Sequence, residues 1–488
     1  KIDGNATLNS SSHLFLTGDD DSTDNHDASN TITGTTTLNN NSTALATGVN
    51  NAINNGLIVN NSSTAVVGGS SDTTINSRDI ANSLNADVTT NGHDANLFIG
   101  AFGGNTNITN GNDITNTLTG TVTMNGGLVT LGGADRFPSS PSWGNNLANG
   151  DSVTNQITGN VNVHSGLTPN ASRLELGGDS FANTGNTGTV NNIITGNVTV
   201  DGDSYVGIWG NYDPEDGSNT VNNTIGGSLT ADNNSFIRIS GNDNTVTGGV
   251  TLNGFAQALI ADHTHSGTIP PQGYANAVTG DFNLNDNSKL FLGNNPTISP
   301  NLLANNEING DVTMTDAAEL IAQSGGTGGL HSAPGVNNIT GNLTMTNTNT
   351  FSINLNQTAA TGVKVDGTAT PGGATVHVTN LDAGNQWNFG REYNIVNAGN
   401  VSDHFNSNVD VIAPPAVDPT LTYPNSNDVN LQILTQFHNN NQLPGTVNQE
   451  NFAEYLDKQA PAAAPNGVNP DLNNLLNTLA TQTGNAGN

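Results

Sequence analysis

Apolar and polar residues alternate in short runs along this chain, and the runs recur in one spaced pattern. The clearest copy, Asn276 to Gly293, reads Asn-Ala-Val-Thr-Gly-Asp-Phe-Asn-Leu-Asn-Asp-Asn-Ser-Lys-Leu-Phe-Leu-Gly. Val278, Gly280, Phe282 and Leu284 occupy alternate positions, which places them on one face of an extended strand. Asn285, Asp286 and Asn287 supply a turn. Ser288, Leu290 and Leu292 resume the alternation in a second strand. Two such strands cannot bury an apolar face alone, so another copy must stack on them.

The stack is present in the sequence. The first apolar residue recurs as Ile2, Ile32, Ile53, Leu84, Leu118, Ile157, Ile194, Ile225, Val246, Val278, Ile308 and Ile339. Two positions on stands a glycine, except at Asn55 and Ala86. Apolar pairs such as Val198 with Val200 follow, then a corner whose length varies, as a loop tolerates and a strand does not.

One column is stricter. Two residues before the apolar anchor stand Asn30, Asn51, Asn82, Asn116, Asn155, Asn192, Asn223, Asn244, Asn276, Asn306 and Asn337. The position has inward parity. A lone buried amide is costly, but amides stacked about 4.8 Å apart can bond along the stack. Parallel coils in register follow from this column. The shortest step, Asn30 to Asn51, is 21 residues, a minimal solenoid coil. Longer steps add residues after the second strand, as loops or as a further strand.

The expected fold is therefore all-β: a parallel, right-handed β-helix of twelve or more coils over residues 1–355. A C-terminal β cap over 356–445 follows, then a short, partly helical linker over 446–488. Ala453, Leu456 and Asp457, then Leu472, Leu475, Leu476 and Leu479, recur at helical spacing in the last segment, and Ala-Pro-Ala-Ala-Ala-Pro between them reads as a linker.

Composition narrows the partners. With 9 basic and 40 acidic residues the formal charge is −31, which disfavours nucleic acid and anionic membrane surfaces. No run approaches the ~20 apolar residues of a spanning helix. There is no cysteine, so disulfides and thiolate metal sites are excluded. The chain starts inside its first repeat, which reads as a processed N-terminus.

Segment 357–438 resembles the C-terminal cap of autotransporter passengers, the surface or secreted proteins of Gram-negative bacteria. Val363-Lys-Val-Asp-Gly367, Gly372-Gly373, Arg391-Glu-Tyr-Asn-Ile-Val-Asn-Ala398, Leu421-Thr-Tyr423 and Asn427-Asp-Val-Asn-Leu431 carry the resemblance. Thr446-Val-Asn-Gln449 with Ala453 and Leu456-Asp457 is similar to the family's linker. The resemblance implies an N-terminal β-helix, a type V secretion route and a translocating β-barrel after the linker. The chain then reads as the passenger alone, displayed on the cell surface or secreted.

Catalytic patterns are sparse. Gly178-Asp-Ser-Phe-Ala-Asn-Thr-Gly-Asn186 resembles the nucleophile block of Gly-Asp-Ser-Leu lipases, but it lacks the helix-rich flank, and Asp262-His-Thr-His265 lies several coils away. A carbohydrate-active enzyme, lyase or hydrolase, is the alternative from a different class. Arg173 and Arg238 stand on outward positions where its cleft would lie, yet no carboxylate pair repeats beside them. No cofactor is expected. Ca²⁺ is the one metal the sequence suggests, at Asp19, Asp20, Asp21, Asp24 and Asp27, although these read first as a solvated acidic insert.

Outward strand positions say more. Thr199, Thr230 and Thr251 belong to a column that includes Thr7, Thr37, Thr89, Thr123, Thr313 and Thr344. Thr33, Thr119, Thr158, Thr195, Thr247, Thr279 and Thr340 form another, and between the two lies a mostly Asn/Asp column, Asn5, Thr35, Asp87, Asn160, Asn197, Asp281, Asp311 and Asn342. A flat hydrogen-bonding face of this kind suits self-association between neighbouring cells by many weak bonds. The insert edge at Trp209, Tyr212 and Asp213 is the second candidate, for a host or matrix protein or a glycan. The function read from the sequence is an adhesin or self-associating surface protein.

Overall fold

The computed structural model describes residues 1–17, 29–47, 51–68, 74–76, 80–100, 107–109, 113–132, 146–147, 152–165, 172–177, 189–209, 220–241, 243–261, 274–293, 304–323, 337–356, 359–380, 387–414, 416–438, 447–463 and 470–483. They fall into two compact units, Lys1–His263 with Tyr274–Asn283, and Thr264–Gly273 with Leu284–Asn488. Both are built on the parallel β-helix pattern.

Each full coil has three short strands, not two. In the seventh copy these are Thr189–Ile194, Val198–Val200 and Tyr205–Trp209. The run expected as one strand bends at the glycine. Gly159 shows why: its φ is +154°, and a Cβ there would lie 2.1 Å from the Gly120 carbonyl oxygen of the preceding coil. A side chain cannot fit where two backbones meet so closely. In the third copy Asn55 takes the corner at φ 75°, a left-handed conformation that asparagine tolerates. The variable inserts follow the third strand. Among the described residues three of them carry a fourth strand each, Thr74–Asn76, Asn107–Thr109 and Asn146–Leu147, in parallel register with one another.

In the first unit the core is thin and aliphatic. Ile194, Val198, Val200, Val206 and Ile208 of one coil are all at most 2% exposed. Each such side chain contributes about 1.5–3 kcal/mol on burial. They lie in register with Ile225, Leu229, Ala231, Ile237 and Ile239 of the next coil.

From Asn30 to Asn244 the asparagine column is an unbroken amide ladder. Asn30 donates to Asn51 at 2.9 Å, Asn51 to Asn82 at 3.1 Å, Asn82 to Asn116 at 3.2 Å, and Asn116 to Asn155 at 3.0 Å. Asn155 donates to Asn192, and Asn192 to Asn223, at 3.0 Å each; Asn223 reaches Asn244 at 2.9 Å. Between the ninth and tenth copies the pattern changes. Asn244 is level with Val278 rather than Asn276. Its amide donates to the Ser240, Gly241 and Ala277 carbonyls, while Asn276 accepts from the Gly241 N–H at 2.9 Å. A strand slipped by two residues keeps its inward parity, so the amide stays buried but meets backbone instead.

The second unit has amide bonds of the same kind, Asn306 donating to Asn337 at 2.8 Å, and Asn337 to the Gly362 carbonyl at 3.0 Å. Its parallel stack ends at Glu392–Val401, which pairs antiparallel with Asp428–Thr435, itself antiparallel to Val417–Thr422. Helices α1 (Val447–Ala463) and α2 (Pro470–Thr483) follow; α1 runs through Pro461, inside the Ala-Pro-Ala-Ala-Ala-Pro stretch read as a linker. The helices dock by side chains that satisfy backbone. Asp457 accepts from the Phe437 and His438 N–H groups at 2.9 and 2.8 Å. Asn477 both accepts from the Trp387 N–H and donates to its carbonyl, at 2.7 Å each, and Asn473 accepts from the Phe389 N–H at 3.0 Å. Leu476 and Ala480 of α2 are buried, as are Trp387 and Phe389. Among the described residues no helix is long and apolar enough to cross a membrane.

Burial, and then the nearby Asp457 carboxylate, push the Asp418 carboxyl above the usual range. A group whose folded pKa is raised adds stability below its unfolded value and loses it as pH rises through the folded one. Asp418→Asn should therefore raise the melting temperature of the second unit at neutral pH. The gain should vanish in acid, where the native side chain is already protonated. Thermal melts of both proteins across that pH range would check this.

Candidate functional site

The threonine column forms as a real surface row. Thr199 stands level with Thr230, and Thr230 with Thr251. Upstream the row continues through Asn162, Thr123, Thr89, Ile58, Thr37 and Thr7. From Thr37 to Thr251 its members are half-buried between flanking strand residues. Inward neighbours such as Val198 and Val200 anchor each strand, so the outward side chains share one level. In the second unit Thr313 and Thr344 are paired likewise.

The Asn/Asp column does a different job from the one its outward position suggested. Its oxygens turn along the stack and accept backbone N–H groups of the next coil. Asn5 accepts from Thr35 at 3.0 Å, Asp87 from Thr121 at 2.8 Å, Asn160 from Asn197 at 2.9 Å, and Asn197 from Ser228 at 3.0 Å. In the second unit Asp311 accepts from Asn342, and Asn342 from Thr368. Where the strand bends at the glycine corner, these N–H groups leave the ladder and need a partner. A third polar file runs along the next corner, where Asn39, Asn60, Asn91 and Asn125 each donate to the preceding member, beginning at Asn9, over 2.8–3.0 Å. Much of the asparagine content is thus structural.

Trp209 ends the third strand of the seventh copy and belongs to a cluster the sequence did not reveal as one. Tyr205 is level with Arg173 on one side and Phe236 on the other, and Gly207 with Glu175 and Arg238. The Arg173 guanidinium lies 4.8 Å from the Tyr205 ring centroid and pairs with Glu175. Tyr205 and Phe236 stack with centroids 5.9 Å apart and planes inclined by 19°. The Arg238 guanidinium sits 5.5 Å from the Trp209 ring. The indole folds back over Gly207, where an added Cβ would meet it at 2.8 Å. Glu175 is 6% exposed; the aromatic rings and both arginines are half-exposed. Outward positions of the third strands keep no one residue type along these coils, so only coil register unites these residues. Tyr205 and Phe236 stand at one offset from Asn192 and Asn223, and Arg173 at that offset from Asn155 plus the longer corner of its copy. That count was the available signal.

Tyr212 and Asp213 lie outside the described residues, as do Asp19, Asp20, Asp21, Asp24 and Asp27, the 178–186 block, and His263 with His265. No family model matches the chain, and no curated protein matches it significantly.

Proposed function

We propose that this chain is a secreted or surface-displayed passenger of the autotransporter type, and that it acts as an adhesin that associates with further copies of itself. The observation that carries the reading is the threonine row, which keeps one level on the second strands of nine consecutive coils and holds threonine at seven of them, with Ile58 and Asn162 at the other two. Threonine hydroxyls present donors and acceptors on a stiff sheet that costs little ordering entropy on contact. Each hydrogen bond exchanged with water nets only about 0.5–1.5 kcal/mol, so affinity arises from repetition. A net charge of −31 opposes pairing at low ionic strength, and salt screens that repulsion.

Cells displaying the chain should clump more strongly as salt rises from low to moderate levels. Replacing Thr199, Thr230 and Thr251 together by arginine puts bulk and charge across three consecutive coils. Settling assays should show that the triple variant clumps markedly less while its circular dichroism and melting curve stay native. Clumping that persists on a native fold would rule this face out as the contact.

A further inference from the structure

We infer that the Arg173–Glu175–Tyr205–Trp209–Phe236–Arg238 cluster on the third-strand face of the first unit is a binding site for an anionic saccharide. The ligand class is a sugar chain whose rings carry carboxylate or sulfate groups. This site is separate from the threonine row, which lies on the second strands, and does not depend on the self-association reading.

The cluster does not behave like the structural files of this protein. The amide ladder and the corner asparagines recur coil after coil, because every coil has the same backbone groups to satisfy. The same two outward rows hold Thr64, Asn96 and Leu128, and Val66, Phe98 and Thr130, in the preceding coils, and Gln257 and Leu259 in the coil that follows. Three aromatic rings, two guanidinium groups and a carboxylate are thus gathered on three coils and nowhere along the neighbouring parts of those rows. Strand packing alone does not call for them, since threonine, leucine and asparagine serve at the same level elsewhere.

The chemistry of the cluster suits a sugar ring with a negative substituent. Sugars present an apolar C–H face and a polar edge; Tyr205 and Phe236 stack on each other and so present their ring edges, which with the half-exposed Trp209 indole line an apolar surface with a polar tip on two of the three rings. Gly207 matters by what it lacks: the indole lies over it and is drawn down onto the sheet. Arg238, stacked on that indole, presents a planar donor fork that matches carboxylate or sulfate oxygens bidentately. Glu175 pairs with Arg173 and holds that guanidinium against Tyr205, so it acts as a positioning residue. Glu175 and Arg238 are two coil steps apart, about 10 Å along the stack, which is room for more than one sugar ring. Two of the nine basic residues of a strongly acidic chain converge here. The six named side chains sum to one positive charge, two arginines against Glu175, amid general repulsion of anions, which selects for a ligand read at close range.

The test is calorimetric titration of the full chain, at moderate salt so that long-range repulsion is screened, with three defined oligosaccharides: a carboxylated hexuronate-containing oligomer, a sulfated oligomer and a neutral β-linked glucose oligomer. At least one anionic oligomer should bind, with the neutral one at least about tenfold weaker, and the preferred anion identifies the substituent. Trp209→Ala and Arg238→Gln should each weaken binding at least about tenfold, whereas Arg391→Gln, a change in the second unit outside the cluster, should not. Should either patch variant fold poorly, Arg238→Lys serves in its place. It keeps the charge and loses the bidentate fork, and should bind more weakly than the native chain. Absence of binding by both anionic oligomers, equal binding of the neutral oligomer, or binding indifferent to the Trp209 and Arg238 changes on a native fold would each overturn the assignment.

Discussion

Replacing Asn155 by leucine should destabilise the first unit by about 2–6 kcal/mol, because it breaks the amide ladder at both ends of one rung. Asn116 donates to Asn155 at 3.0 Å, and Asn155 donates to Asn192 at the same distance. All three side chains are fully buried. Leucine is close in volume and apolar, so packing around it changes little. The loss comes instead from the Asn116 amide, left without its acceptor, and the Asn192 carbonyl, left without its donor. Each buried polar group stranded in this way costs about 1–3 kcal/mol. A solenoid unfolds by segments, so the better readout is hydrogen exchange beside the usual melt. Amides of Asn116–Leu118 and Asn192–Ile194 should lose protection first. The same change at Asn244 should cost less per bond, since its amide is spread over three backbone carbonyls. An unaltered melt for Asn155→Leu would mean that the ladder contributes specificity of register without net stability.

Removing residues 416–488 should have the second large effect. The deletion strips the antiparallel hairpin and both helices from the second unit. Glu392–Val401, a strand of 10 residues, would then show an unpaired edge, and a long open edge is a template for aggregation. Trp387 and Phe389, 1% and 0% exposed, would lose α2, whose Asn473 and Asn477 satisfy their backbone. The truncated chain should precipitate or form soluble aggregates, seen by light scattering, where the full chain is dispersed. A milder version, Asn477→Leu, removes two backbone partners at once and should release α2 without exposing the edge. A dispersed, cooperatively melting truncation would show that the hairpin and helices are ornaments on a self-sufficient stack.

These two outcomes also separate what the sequence made legible from what it did not. Coil register was written into the asparagine column, because a buried amide must recur at one phase to find a partner. The bend at the glycine was hidden. Anchor, glycine and the next two apolar residues keep inward parity across the corner, so an alternating pattern reads as one strand where the backbone makes two. The Asn/Asp column next to that corner was equally ambiguous: outward parity describes the Cβ direction, not the backbone N–H that the side chain folds over to meet. Helical spacing marked α1 and α2, but nothing in it foretold that Asn473 and Asn477 would serve as backbone partners for Trp387 and Phe389. The aromatic–arginine cluster was least legible, since its members come from three copies with different insert lengths.

Cross-linking through the threonine row tests the proposed function most directly. The chain has no cysteine, so Thr230→Cys introduces a single reactive thiol on the row. Leu259→Cys places one on the outward third-strand row of the neighbouring coil. Under mild oxidation at moderate salt, Thr230→Cys should give a disulfide-linked dimer in high yield, with the yield falling at low salt, while Leu259→Cys stays largely monomeric. Native melting curves for both variants would confirm that the folded chains are compared. A Thr230→Cys chain that remains monomeric while it still clumps on cells, or a Leu259→Cys chain that cross-links better, would contradict the proposal that copies meet through the threonine face.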